Sequence, residues 1–298
     1  MNAISVREAG WKDKEEILAI SQKIWEGEDY VPVVLEGWLS QGGLLVAELS
    51  GKVVGFAKVT ELSPGEFWFE GLRVDPAHQG KGVAKALAQA QLEWTLSRQP
   101  KTIRLATGET NEPSLHIAQN LGFREVARFF YLEAEVRKPQ KVRELRAPAP
   151  EEAWEFLRGS QVLAEGKGLL GLGWRFRQAS PELVGELAQK EALFTLGEPP
   201  CGLLILVPDP YTPRELGCLA FLDGEEGILP ALLRFAQGLA VQNGQKILSA
   251  MVAAPWIFRF LLAQGFQFIP ELGAVLVLEY AISKLFINFI RYYEEPVS

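Results

Sequence analysis

The stretch Gln79-Gly80-Lys81-Gly82-Val83-Ala84 has residue types suited to holding a phosphate. Gly80 and Gly82 let a ligand approach the main chain, and Lys81 and Lys85 supply cationic side chains. The apolar positions after the turn, Val83, Leu87, Ala90 and Trp94, step by four, three and four. That spacing keeps one helical face on a core, so a helix starts near Gly82. Its first N–H groups lack intrahelical partners and carry the positive end of the helix dipole, which makes the turn an anion cradle. A bare Gly-x-Gly also fits an ordinary strand-to-helix turn. A P-loop would need Gly-x-x-x-x-Gly-Lys-Ser/Thr, which does not occur, and a dinucleotide fingerprint would want a third glycine where Lys85 stands.

The elements that must position this turn are legible in the hydrophobic pattern. Asp13 and Glu16 make a capping pair before a helix carrying Ile17, Ile20 and Ile24. Leu44 to Leu49, a Ser50-Gly51 turn and Val53 to Val59 read as a β-hairpin. Phe67 to Val74 is a strand that leads into the glycine-rich turn. Thr102 to Ala106 and Val126 to Leu132 are further strands. Between them, Asn111-Glu112-Pro113-Ser114 opens a short helix that ends at Leu121-Gly122-Phe123, with proline in the first turn and glycine at the C-terminal cap.

Two linked motifs, Gln79-Gly80-Lys81-Gly82-Val83-Ala84 as Gln/Arg-x-x-Gly-x-Gly/Ala and the Asn111 to Phe123 segment about forty residues on, resemble those of the GNAT superfamily of N-acetyltransferases. The resemblance covers roughly residues 3 to 135. It implies that acetyl-CoA is bound through its pyrophosphate by residues 79 to 85. The main chain of Leu72, Arg73 and Val74 would bond the pantetheine arm in a cleft where that strand splays from its neighbour, and Asn111 and Ser114 would lie at the cofactor. It also implies acetyl transfer to an amine, and most amines are protonated at neutral pH, so a base is required. Glu70 interrupts the run Phe67-Trp68-Phe69 four residues before Val74, the offset at which many members carry their catalytic glutamate; simple strand alternation would instead turn it to solvent. Many members place a tyrosine three residues before Leu-Gly-Phe, to assist the departing thiolate. Here that position is Ala118, so another group or water must serve. Tyr131 is one candidate, His116 reads as a surface residue, and His78 as solvated. Asp29, Tyr30 and Trp68, with Trp38, would line an acceptor pocket suited to an ammonium-bearing small molecule. The order Asp29-Tyr30, Trp38, Glu70-Gly71-Leu72-Arg73-Val74 is somewhat similar to the histidine N-acetyltransferase branch. A free amino acid or similar small amine is the first expected acceptor and a protein N-terminus or lysine the second; a non-catalytic acyl-CoA sensor is the alternative of another class.

Length and composition frame this reading. At 298 residues and 48% hydrophobic content the chain can bury two cores. The expected class is mixed α/β, two GNAT-like domains, each a mostly antiparallel twisted sheet flanked by helices: residues 1–138, a linker 139–150 punctuated by Pro139, Pro148 and Pro150, and residues 151–298. The second half repeats the grammar of the first, since Gly82 to Gly122 spans 40 positions and Gly227 to Gly265 spans 38. At the equivalent of the phosphate turn, however, it carries Asp223-Gly224-Glu225-Glu226-Gly227, whose carboxylates would repel a pyrophosphate. The second domain is therefore expected to be degenerate and to bind no CoA, as in tandem members such as mycothiol synthase. With 2 cysteines and 2 histidines, neither a disulfide framework nor a metal site is expected. A net charge of -7 argues against a nucleic-acid partner. No run reaches the roughly 18 apolar residues of a membrane span, and Met1 to Glu16 lacks a signal-peptide core, so a cytoplasmic protein with no membrane partner is expected. The apolar C-terminal run Leu285 to Tyr293 reads as a packed terminal element or a dimer contact, leaving monomer and homodimer both open.

Overall fold

The computed structural model describes residues 3–139, 143–212, 214–225 and 227–282. The run from Leu285 to Tyr293 lies outside the described residues. The chain forms two compact units, and their limits differ from a simple cut at the proline-rich stretch. Among the described residues the first unit holds 3–105, 112–125 and 278–282, and the second holds 106–111 and 126–277. Pro150, expected in the linker, instead opens a helix, where its fixed φ and missing N–H cost nothing.

In the first unit β1 (Ser5–Glu8), α1 (Lys14–Ser21) and α2 (Val31–Gln41) precede the hairpin of β2 (Leu44–Leu49) and β3 (Lys52–Ser63). Then come β4 (Glu66–Val74), α3 (Val83–Leu96), β5 (Thr102–Gly108, in this unit to residue 105) and α4 (Glu112–Asn120), while β6 (Phe123–Glu135) passes into the second unit after residue 125. The strands order as β1-β2-β3-β4-β5, antiparallel except for the parallel pair β4 and β5. Ser50 and Gly51, both at positive φ, make the tight hairpin turn. α3 lays Val83, Leu87 and Leu92 on the sheet, each buried side chain worth about 1.5 to 3 kcal/mol. The expected cap at the start of α1 is not made. Asp13 accepts both Arg7 Nη groups at 2.8 and 2.7 Å and the Gly10 N–H at 2.8 Å, while Glu16 accepts from the Val53 N–H at 3.3 Å. Two charged donors outweigh one neutral cap.

In the second unit α5 (Pro150–Gly159), α6 (Gln161–Glu165), the hairpin β7 (Leu169–Leu172) and β8 (Arg175–Gln178), and α7 (Pro181–Gln189) lead to β9 (Leu193–Leu196), β10 (Gly202–Pro208) and β11 (Leu216–Gly224). α8 (Leu229–Gln242), β12 (Ile247–Val252), α9 (Pro255–Ala263), β13 (Gln267–Phe268) and β14 (Ala274–Tyr280, in this unit to residue 277) complete it. The order β6-β12-β11-β10-β9 again has one parallel pair, β11 with β12. The sequence β10, β11, α8, β12, α9 thus repeats β3, β4, α3, β5, α4 in order and pairing sense, with helices of 14 and 9 residues in both.

The first sheet is irregular at one place. Lys58 pairs with Glu70 and Phe56 with Arg73, so β4 spends three residues where β3 spends two. The extra residue is a bulge at Gly71, whose φ is +66°. A Cβ built there would stand 2.5 Å from the Trp38 ring. Gly71→Ala should therefore cost about 2 to 4 kcal/mol, left-handed strain plus overpacking. A fall in the urea midpoint at unchanged slope checks this.

Candidate active site

The turn between β4 and α3 has the geometry expected of an anion cradle. Gly80 and Gly82 sit at φ +73° and +85°, and a Cβ on either would meet nothing within 4 Å, so their role is conformation and access rather than packing. Gly82 caps a 14-residue helix without any side-chain cap bond, and the first helical hydrogen bond is Ala86 N–H to Gly82 O at 3.0 Å. The N–H groups of Val83, Ala84 and Lys85 therefore precede the helical ladder and lie at its positive end. Lys85 is exposed, and the Lys81 ammonium rests on the Ala77 carbonyl at 3.0 Å, at the rim of the same turn. Gln79 ends a short 3-10 turn, Pro76–His78, that Asp75 caps through the Ala77 N–H at 3.0 Å. His78, expected to be solvated, has its Nδ1 buried without a hydrogen-bond partner among the described residues. These donors and the open glycines fit a diphosphate.

Upstream, the β4 and β5 ladder covers only Glu66 to Trp68 against Thr102 to Arg104, although β4 continues to Val74. Arg104 fastens the joined end by ion pairs to Glu66 at 3.0 Å and Glu279 at 2.6 Å. Arg73 and Val74 pair with Phe56 and Gly55 of β3 on one edge, turning the other edge of the strand away from β3. Leu72 lies in the bulge, and its carbonyl accepts Arg73 Nη1 at 3.1 Å. Ser114 is half-buried on α4, and Ala118, where a tyrosine would be usual, is buried. His116 is at the surface, bonded to Asn120 at 2.9 Å. Asn111 belongs to the second unit.

Glu70 is 9% exposed and turned inward, not to solvent. The Thr60 hydroxyl donates to its Oε1 at 2.5 Å, which fixes the carboxylate. Thr60 is the residue that sequence reasoning missed, and its only signal was the β3 alternation that places Phe56, Lys58 and Thr60 on one face. Through the bulge their partners Arg73, Glu70 and Trp68 share that face.

The residues expected to line the acceptor pocket separate into different roles. Asp29 is a correction: its side chain is fully buried and accepts Arg73 Nε at 3.2 Å, Arg73 Nη2 at 3.0 Å and the Ser21 hydroxyl at 3.0 Å. A buried carboxylate gripped by a guanidinium fork is a clamp, not a receptor for an acceptor ammonium. Trp68, at 2% exposure, is core and offers no pocket surface. Tyr30 is half-buried, 5.4 Å from the Arg73 guanidinium and edge-on to Trp38 at 6.1 Å. Tyr131 lies in the second unit, buried and donating to Glu133; burial and that carboxylate push its phenol well above the ordinary range. A second ion pair, Lys23 to Asp75 at 2.7 Å, ties the end of α1 to the phosphate turn. Lys23 holds the Asp75 carboxyl below the usual carboxylate range, so this tie stands at neutral pH and is lost only as pH falls through that depressed value.

Residues 11–123, which include β4, the cradle and α4, match the model of the Acetyltransferase (GNAT) family. That segment of the chain is similar to the GNAT acetyltransferases. Over 93 residues the chain is 39% identical to the histidine N-acetyltransferase of Oreochromis niloticus, a match covering 30% of this chain and 28% of that protein. Over 108 residues it is 33% identical to the mycothiol acetyltransferase of Thermomonospora curvata, covering 36% of each. The chain thus spans about a third of the length of these curated relatives. The fold of the chain beyond the matched segment also has solved counterparts. A GCN5-related N-acetyltransferase from Sphaerobacter thermophilus superposes with a TM-score of 0.63 at 15% identity, covering 93% of this chain and 95% of that one. The glucosamine N-acetyltransferase region of a fungal multi-domain GH3 β-N-acetylglucosaminidase gives 0.64 at 17%, covering 94% and 38%.

The clamp makes a testable demand on the first unit. Replacing Asp29 by Ala leaves the Arg73 guanidinium without its buried partner, and breaking such a pair costs about 3 to 5 kcal/mol. The variant should lose that much in chemical denaturation, and Ser21→Ala much less, about 1 kcal/mol.

Proposed function

We propose that this protein is an acetyl-CoA-dependent N-acetyltransferase whose acceptor is the primary amine of a small molecule, an amino acid or a close analogue. The observation that carries the reading is the pairing of an uncapped, glycine-opened helix N-terminus with an inward carboxylate three residues upstream of Arg73 on the same strand. The N–H groups of residues 82 to 85, with Lys81, Lys85 and Gln79, hold the diphosphate, and the main chain of Leu72, Arg73 and Val74 aligns the pantetheine arm. When bound, acetyl-CoA supplies an activated acetyl thioester. Glu70, oriented by Thr60, accepts the proton of the attacking amine. Ala118 supplies no acid, so the thiolate departs without a side chain from that position.

The names of the two curated relatives, histidine and mycothiol acetyltransferase, support a small-molecule acceptor over a protein. The second unit, on this reading, is a degenerate GNAT-like domain without a cofactor site. Asp223 stands at the end of β11, held by the Ser160 hydroxyl at 2.5 Å and the Gly224 N–H at 2.8 Å, where a cradle would need donors; Glu226 lies outside the described residues.

Titration calorimetry should find one acetyl-CoA per chain, bound equally by wild type and Glu70→Gln. Thiol release should fall in the variant by roughly 10² to 10⁴, the usual worth of a general base. Two sites per chain would remove the degenerate assignment. Binding without thiol release across amino acids, polyamines and peptides would point to a sensor instead.

A further inference from the structure

Trp25 is 60% exposed, unusual for so large an apolar side chain, and its backbone is unusual too. Trp25, Glu26 and Gly27 take φ of +46°, +56° and +94° in succession. Left-handed conformation is costly for the two residues that carry a Cβ, and such strain persists only where the surroundings enforce it. Here they do so from both sides. Gly27 N–H to Ile24 O and Glu28 N–H to Trp25 O, each 2.9 Å, close the turn. The Arg73 guanidinium lies 4.3 Å from the centre of the indole, and Arg73 is itself immobilised by buried Asp29. One face of the indole is therefore spent on a fixed cation, which sets the plane of the ring, and the exposure belongs to the rest of it.

The bulge at Gly71 puts Arg73 on the same sheet face as Glu70, two β3 positions away and hence about 7 Å along the strand. The ring stacked on Arg73 therefore stands on the sheet face that also carries the carboxylate proposed to take the amine proton. Exposed Glu26 and Glu28 flank the ring and favour a cationic approach. We infer that the outer face of Trp25 is a specificity-determining surface that stacks on the flat side chain, an aromatic or imidazole ring, of an α-amino acid whose amine lies at Glu70. This rests on the acetyltransfer reading and narrows its acceptor to ring-bearing amino acids.

The test is kcat/KM by thiol release at saturating acetyl-CoA, for histidine, phenylalanine and tryptophan against alanine and glycine, in wild type, Trp25→Ala and Trp25→Phe. The alanine variant should lose tenfold or more on the ring-bearing acceptors, through KM, while alanine and glycine stay within twofold and the KM for acetyl-CoA does not move. Phenylalanine at the position should restore most of the loss, because it still offers a flat face. An unchanged ratio of ring-bearing to small acceptors, or an equal loss on all of them, overturns the inference and leaves the acetyltransfer reading standing. A wild type that binds acetyl-CoA yet acetylates none of the five overturns the inference; if no other amine is acetylated either, the acetyltransfer reading falls with it.

Discussion

The bulge at Gly71 is the constraint on which the rest of the site depends. Side chains alternate along a strand, so Glu70 and Arg73 would face opposite sides of a regular sheet. One extra residue restores their phase and brings both to one face of the sheet. Only glycine satisfies the position, because its φ is left-handed and Trp38 packs where a Cβ would stand. The same irregularity takes Leu72 out of step with β3, just where an extended ligand would run along the strand.

Two ion pairs then fix the α1 to α2 connection over the end of β4. Arg73 to Asp29 is almost wholly buried, which makes it unforgiving: each charge has given up most of its water and has the other as its one charged partner among the described contacts. Lys23 to Asp75 is more exposed and contributes less. Together they bind one segment to both β4 and the turn before α3, so the placement of Trp25 and Tyr30 is coupled to the backbone that begins that turn. The exposed lysines of the cradle are cheap to hold and are screened by salt; the buried clamp keeps its geometry regardless.

Much of the first unit was legible because its signals are local. The hairpin turn, the helix after Gly82 and the proline and glycine limits of α4 follow from propensity and period alone, and β2 to β5 begin within a residue or two of expectation. What could not be read was long-range. Asp29 looked like a free acid because its partner lies 44 residues away, and Asp13 like a helix cap because Arg7 could not be seen to reach it. Trp68 and Glu70 share a strand face and differ in fate through what packs above them, which alternation does not encode. The limits of the two units were missed for a related reason: compactness is a property of contacts, and no change in composition marks residues 106–111 or 126–138.

If the second unit is read as a degenerate copy, it illustrates how far a fold can persist once chemistry at its turn has changed. Its core keeps Leu232, Ala236 and Leu248 fully buried, as the first unit keeps Leu87 and Ile103, and the order and pairing sense of the strands are retained. Burial of apolar faces is indifferent to the residues of a surface turn. A phosphate cradle is not, since it needs open backbone donors and no competing anions within a few ångströms. Asp223, already bonded to Ser160, occupies that turn with charge of the wrong sign. On our reading selection therefore acts on the two halves through different terms, packing alone in the second and packing plus an electrostatic site in the first, which is why one fold can carry a catalytic and a non-catalytic copy in the same chain.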